Sequence, residues 1–181
     1  MRRGENIVGT SPGWGDLIEM DVFHKRLLIA AQGYSELGLP DLALAELALI
    51  PEDLRGESVV VETMLSVLMQ AQRWTAALPI GRELCRLEPE KSAGFIHAAF
   101  CLHELGNTKA AKELLMNGPA KLKAEATYHY NLACYEAKLG NLDQARAYLD
   151  VSFAMDKNLK EFALDDPDLD VLRAFKMTAN P

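Results

Sequence analysis

Positive charge is in short supply in this 181-residue chain: 19 lysines and arginines face 26 aspartates and glutamates, for a formal net charge of −7. That balance argues against nucleic acid, whose phosphates select basic patches, and equally against an anionic membrane surface. A neutral or basic partner surface is expected. Cysteine is scarce too. Cys85, Cys101 and Cys134 are odd in number, and no two have Cys-x-x-Cys spacing. A reducing, cytoplasmic setting is therefore expected rather than a disulfide framework. The chain opens Met1-Arg2-Arg3, but no apolar stretch of seven or more follows in the first twenty residues, so no secretory signal is expected. No run of about 18 apolar residues occurs, so no membrane span is expected.

Catalytic signatures are also missing. The sequence holds no Gly-x-x-x-x-Gly-Lys-[Ser/Thr] phosphate loop, no Gly-x-Ser-x-Gly elbow and no His-Glu-x-x-His pair. Gly13-Trp14-Gly15 lacks the rest of a dinucleotide-binding signature and opens no strand. No enzyme activity and no cofactor is expected; an active site would have to be assembled from distant residues. What the chain has is a globular balance, 49% hydrophobic and 25% charged residues, enough to build a core rather than a disordered coil.

It also has a period. Leu37-Gly38-Leu39-Pro40-Asp41-Leu42-Ala43, Ala71-Gln72-Arg73-Trp74-Thr75-Ala76-Ala77, Leu105-Gly106-Asn107-Thr108-Lys109-Ala110-Ala111 and Leu139-Gly140-Asn141-Leu142-Asp143-Gln144-Ala145 recur every 34 residues. Gly38, Gly106 and Gly140 suit the left-handed end of a helix, which costs glycine no steric penalty. Gln72 holds the same place, and that turn is expected to close less tightly. Ala43, Ala77, Ala111 and Ala145 keep the step, and their small side chains allow two helices to approach closely. Ahead of each turn, apolar residues follow helical spacing: Leu27, Ala30, Ala31, Tyr34; Val61, Met64, Leu65, Leu68; Phe95, Ala98, Ala99, Leu102. The fourth set, His129, Leu132, Ala133 and Glu136, is polar at both ends. Such stripes belong to core-facing helices.

A 34-residue helix-turn-helix period resembles the tetratricopeptide repeat family, including its bacterial members. Tyr34, Gly38 and Ala43 match the family's tyrosine, turn glycine and alanine, Pro89 its closing proline, and Asn131-Leu132-Ala133 with Gly140 and Ala145 match best. The resemblance covers about residues 24 to 157. The second repeat lacks the turn glycine, the third and fourth lack the closing proline, and no repeat has the signature tryptophan. The resemblance implies an all-α, right-handed α-solenoid of four helix pairs (about 24–56, 57–90, 91–123 and 124–157). Residues 1–20, rich in glycine, read as a flexible arm, with Trp14 a candidate to dock on the first helix. Pro79 and Gly81 predict an altered packing angle in the second pair, and Gly118-Pro119 an early end to a helix in the third. Residues 158–181 read as a capping helix and tail, since a terminal repeat otherwise exposes an apolar face. Asp166-Pro167 supplies its cap, and Leu169, Leu172 and Phe175 or Lys176 its apolar stripe. The stretch Leu164 to Leu169 resembles a closing segment of bacterial proteins of this family.

In such a superhelix the first helix of each pair lines the inner wall. Phase places Lys25, Leu28, Gln32 and Ser35 there, then Glu62, Ser66, Met69 and Gln70, then Ile96, Phe100, His103 and Glu104, then Thr127, Tyr130, Asn131, Cys134 and Lys138. Leu28, Met69, Ile96, Phe100 and Tyr130 are the candidate apolar anchors of a concave groove for a peptide or protein segment, with Asn131 positioned to bond its backbone. The N-terminal arm or a second copy, giving a homodimer, is the alternative occupant. Some family members hold chaperone carboxylate tails with a clamp of lysine, asparagine and arginine. The matching positions here are Leu28, Gln32, Thr63, Ala93 and His97, so no such binding is expected. A chaperone for a secreted bacterial client is the second functional reading. His97, Cys101, His129 and Cys134 sit one repeat apart on neighbouring helices, yet read as packing residues rather than metal ligands. Asp166, Asp168 and Asp170 begin like a calcium loop, but Val171 stands at the glycine position and Met177 at the glutamate, which excludes an EF-hand.

Overall fold

The computed structural model describes residues 21–173, which form helices joined by turns with no strand among them. The expectations for the N-terminal arm and Trp14, and for Phe175 and Lys176, concern residues outside this range. Eight helices pair in chain order: α1 (Val22–Glu36) with α2 (Pro40–Ala48), α3 (Ser58–Gln70) with α4 (Trp74–Leu87), α5 (Ser92–Glu104) with α6 (Thr108–Met116), and α7 (Ala126–Lys138) with α8 (Leu142–Met155). A short α9 (Leu159–Asp165) follows. Asp21 starts the array as an N-cap, its carboxylate accepting from the His24 N–H at 2.9 Å and so satisfying one of the helix's orphan donors.

Each pair is joined by the same turn. Gly38, Gln72, Gly106 and Gly140 have φ of 72°, 55°, 82° and 85°. Each N–H bonds the carbonyl three residues back, and the next residue's N–H bonds the carbonyl five back; for Gly106 and Asn107 the acceptors are His103 and Leu102, both at 2.8 Å. This is the Schellman closure, which satisfies the last carbonyls of the first helix. Five residues beyond each turn, Ala43, Ala77, Ala111 and Ala145 are 0% exposed. A larger side chain there would force the paired helices apart.

Gln72 departs from expectation. Its turn closes as tightly as the others, with Gln72 N–H to Met69 O at 2.9 Å and Arg73 N–H to Leu68 O at 2.8 Å. The flanking helices impose the left-handed conformation on a residue with a Cβ, at a cost of roughly 1 kcal/mol.

Pro79 does not break α4, which runs from Trp74 to Leu87. The feature at that level is a close approach. A Cβ on Gly81 would lie 3.2 Å from Ala98 Cα, and one on Gly94 would lie 2.7 Å from the Cys85 nitrogen. Two glycines on facing helices thus bring the backbones of α4 and α5 almost into contact. Gly118-Pro119 ends α6 at Met116, after nine residues.

The core divides into three clusters along the array: one across α1, α2 and α3, one across α3, α4 and α5, and one from α5 to the C-terminal segment. Each pair therefore packs on its neighbours only, as expected of a stacked array. The polar ends of the fourth stripe are accounted for locally. Glu136 is buried but accepts from Lys112 Nζ at 2.7 Å and Asn141 Nδ2 at 2.8 Å, and His129 Nε2 lies 2.9 Å from Lys123 O.

Replacing Gln72 with glycine should raise the thermal midpoint by about 2–4 °C, the shift that roughly 1 kcal/mol gives in a chain of this size. Gly106→Gln should lower it by a similar amount. Melting followed by circular dichroism measures both, and an unchanged or lower midpoint for Gln72→Gly would contradict the imposed-turn account.

Candidate functional site

The stripe assigned to the inner wall is only partly open. Gln32, Glu62, Ser66, Phe100 and Asn131 are half-buried, whereas Leu28, Met69, Ile96, His103, Tyr130 and Cys134 are buried. Leu28 belongs to the first core cluster and Met69 to the second. Phe100 meets the Trp74 ring edge-on at 5.5 Å between centroids. The apolar anchors are thus largely engaged within the chain, and what the first two pairs present along this stripe is mainly polar.

Over the last two pairs the cover is the chain's own C-terminal segment. After α9 the backbone turns at Asp166, forms a 3-10 turn over Pro167–Leu169 and is helical again through residues 170–173. Asp166 caps this turn as the sequence predicts, one carboxylate oxygen accepting from the Asp168 N–H at 2.9 Å. Its other oxygen accepts from Tyr130 Oη at 2.8 Å and from the Cys134 thiol at 3.6 Å. Asp168 reaches two helices. Its Oδ2 accepts from His103 Nε2 on α5 at 2.7 Å, and its Oδ1 from Lys138 Nζ on α7 at 3.1 Å. Leu169 and Leu172 are buried in the same cluster as Ile96, Tyr130, Cys134 and Ala137. Arg173 ties the segment to itself by donating to the carbonyls of Ala163 and Asp166. The segment read from sequence as an end cap therefore lies across the first helices of the third and fourth pairs.

The wall groups are held from below. His103 Nδ1 lies 3.0 Å from Thr108 Oγ1, at the start of α6, and its ring rests against that of Tyr135 at 4.9 Å. Burial opposes ionisation of Asp168, but the hydrogen bond from His103 and the nearby Lys138 outweigh it and hold the carboxyl below its ordinary 3.8. Burial pushes the Tyr130 hydroxyl up, as the adjoining carboxylates of Asp166 and Asp168 also do. Tyr130 therefore stays a donor to Asp166.

Little else on these helices is chemically poised. Burial pushes the thiols up, Cys85 to about 11 and Cys101 to about 12, and Cys134 well above its ordinary value. Burial thus favours the protonated thiol at all three positions. His97 is driven down to about 4 by burial. His97 and Cys101 remain apart from His129 and Cys134 in role: Cys134 bonds Asp166 and His129 bonds a backbone carbonyl. Among the described residues no three His, Cys, Asp or Glu side chains gather as metal ligands, and no helix is long and apolar enough to cross a membrane. A recess of about 180 Å³ beside Ser35, Gly38, Pro40, Gln70 and Ala71 is smaller than sites that enclose drug-sized ligands.

No protein-family model matches the chain, and no curated protein matches it in sequence.

A carboxyl whose acidity is raised by folding stabilises the folded state above its ordinary value, and that stability disappears as pH falls through its lowered value. For Asp168 the window lies below about pH 4. The thermal midpoint of the natural protein should therefore fall more steeply as pH drops below about 4 than that of Asp168→Asn. Parallel midpoint-against-pH curves would show that Asp168 is not ionised against His103 and Lys138.

Proposed function

We propose that this chain is a protein-binding module of the tetratricopeptide type, a right-handed superhelix of four helix pairs whose inner wall grips a segment of another protein. The four equivalent turns and the buried alanines at one spacing support the superhelix. The observation that carries the binding reading is that this wall already holds a stretch of polypeptide. Residues 166–172 lie on α5 and α7 through side-chain bonds to Tyr130, His103 and Lys138 and through Leu169 and Leu172. Apolar anchors flanked by directional polar contacts are how folded domains hold short segments. On this reading Gln32, Glu62 and Ser66 form the open part of the wall and the half-buried Asn131 lies beside the covered part; Gln32 and Asn131 bond the partner's backbone. The chain does no chemistry of its own, and with three unpaired thiols it works in the reducing cytoplasm.

The test is affinity capture from the native cell with quantitative mass spectrometry, comparing the natural chain with Gln32→Ala/Asn131→Ala. Both residues are half-buried and their replacement leaves the core clusters intact. At least one partner should be captured by the natural chain and depleted about tenfold by the double variant, the loss expected for two hydrogen bonds of about 0.5–1.5 kcal/mol each. Equal recovery of every partner would place binding elsewhere.

A further inference from the structure

We propose that the α5–α7 wall is a docking site for an acidic partner segment of the pattern Asp-x-Asp-Leu-x-x-Leu, and that residues 166–172 occupy it in cis until such a segment displaces them. The inference rests on the protein-binding reading above and specifies its partner.

The chemistry of the wall is selective. Two carboxylates spaced two residues apart are read separately. Asp166 is read by the Tyr130 hydroxyl and the Cys134 thiol, and Asp168 by the His103 ring and the Lys138 ammonium. An end cap needs only apolar cover, whereas four side chains from two helices engage these two carboxylates. Directional, charge-bearing contacts add discrimination between partners more than they add stability.

The segment itself is built like a bound ligand. Its anchors are Asp166, Asp168, Leu169 and Leu172, while Pro167, Asp170 and Val171 between them are exposed and Leu164 just before them is 68% exposed. His103 is held in place from within the array, independently of the segment. Thr108 orients His103 from α6, Tyr135 supports its ring, and Tyr130 and Lys138 project from one continuous helix. Tyr135, whose ring lies against His103, is buried, and its hydroxyl has no hydrogen-bond partner among the described residues.

The probe is a fluorescein-labelled peptide with the sequence of residues 164–173, titrated by fluorescence anisotropy against the full chain. The natural chain should bind it weakly. The variant Asp168→Asn/Leu172→Ala, in which the internal segment is loosened, should bind at least tenfold more tightly. Adding Lys138→Ala to that variant, or replacing both peptide aspartates with asparagine, should abolish the gain. No binding by a variant that keeps the natural helical circular-dichroism spectrum overturns the proposal. A second measurement uses the natural chain alone. Amide hydrogen exchange in residues 169–173 should be at least tenfold faster than in the centre of α7; exchange at the same rate makes the segment a fixed part of the fold and also overturns it. A dimer by light scattering that dissociates on Asp168→Asn/Leu172→Ala would assign the site to a second copy and overturn the commitment to a partner. If the peptide fails while capture still depends on Gln32 and Asn131, the acidic site falls and the protein-binding reading stands. If the peptide binds but capture ignores those residues, the role of Gln32 and Asn131 falls and the acidic site remains.

Discussion

The left-handed residue that closes each helix pair is the constraint from which the rest follows. At Gly38, Gln72, Gly106 and Gly140 the chain reverses through one pair of backbone hydrogen bonds, and five residues later an alanine with no exposed surface fixes how near the second helix lies. Because turn and alanine recur every 34 residues, equivalent faces of α1, α3, α5 and α7 align. That alignment creates the site. His103 and Lys138 lie one repeat plus one residue apart, so the two side chains meet the same carboxylate of Asp168 from adjacent first helices. Without the common phase the pair would be two unrelated surface residues.

Polarity is distributed along the array with some economy. Between α4 and α5 the backbones approach closely at Gly81 and Gly94, beside the ring contact of Trp74 and Phe100. Toward the C-terminal end the contacts become polar: Lys112 and Asn141 satisfy the buried Glu136, and the carboxylates of Asp166 and Asp168 then lie on α5 and α7. Buried ionic contacts contribute little net stability, because desolvation offsets most of their attraction, yet losing one partner strands the other. Such polar contacts add specificity to a segment whose apolar anchoring comes from Leu169 and Leu172. In an array where each pair packs only on its neighbours, the terminal element also opens at the lowest free energy.

Much of this was legible in the chain, for identifiable reasons. Turns and alanines are local, so spacing alone locates them, and the Asp166-Pro167 cap is local as well. Gln72 misled because a residue's intrinsic preference says nothing about how firmly its flanking helices hold it. The wall was harder to read. Helical phase says which way Leu28, Met69, Ile96 and Tyr130 face, but not what covers them. Tyr130 meets Asp166 across 36 positions and His103 meets Asp168 across 65, and no periodic pattern encodes such pairings. The same gap affects charge. A net charge of −7 suggests a neutral or basic partner, yet the wall of the last two pairs accepts acidic groups. Total charge is a sum over the surface and does not fix the sign of one patch.

The tether joining residues 166–172 to the array sets a requirement on any partner. A segment attached through the short α9 competes at an effective concentration in the millimolar range. A free segment making only the same contacts, present at micromolar levels, would lose that competition by roughly a thousandfold. A partner must therefore recover about 4 kcal/mol from contacts the internal segment does not make. The half-buried Gln32, Glu62 and Ser66 lie along the first helices of the first two pairs, which residues 166–172 leave uncovered. A partner long enough to carry its carboxylates to His103 and Lys138 while running along this polar stretch would collect that difference. On this argument the occupied half of the wall sets chemical selectivity, the open half supplies the affinity to displace the occupant, and neither half suffices alone.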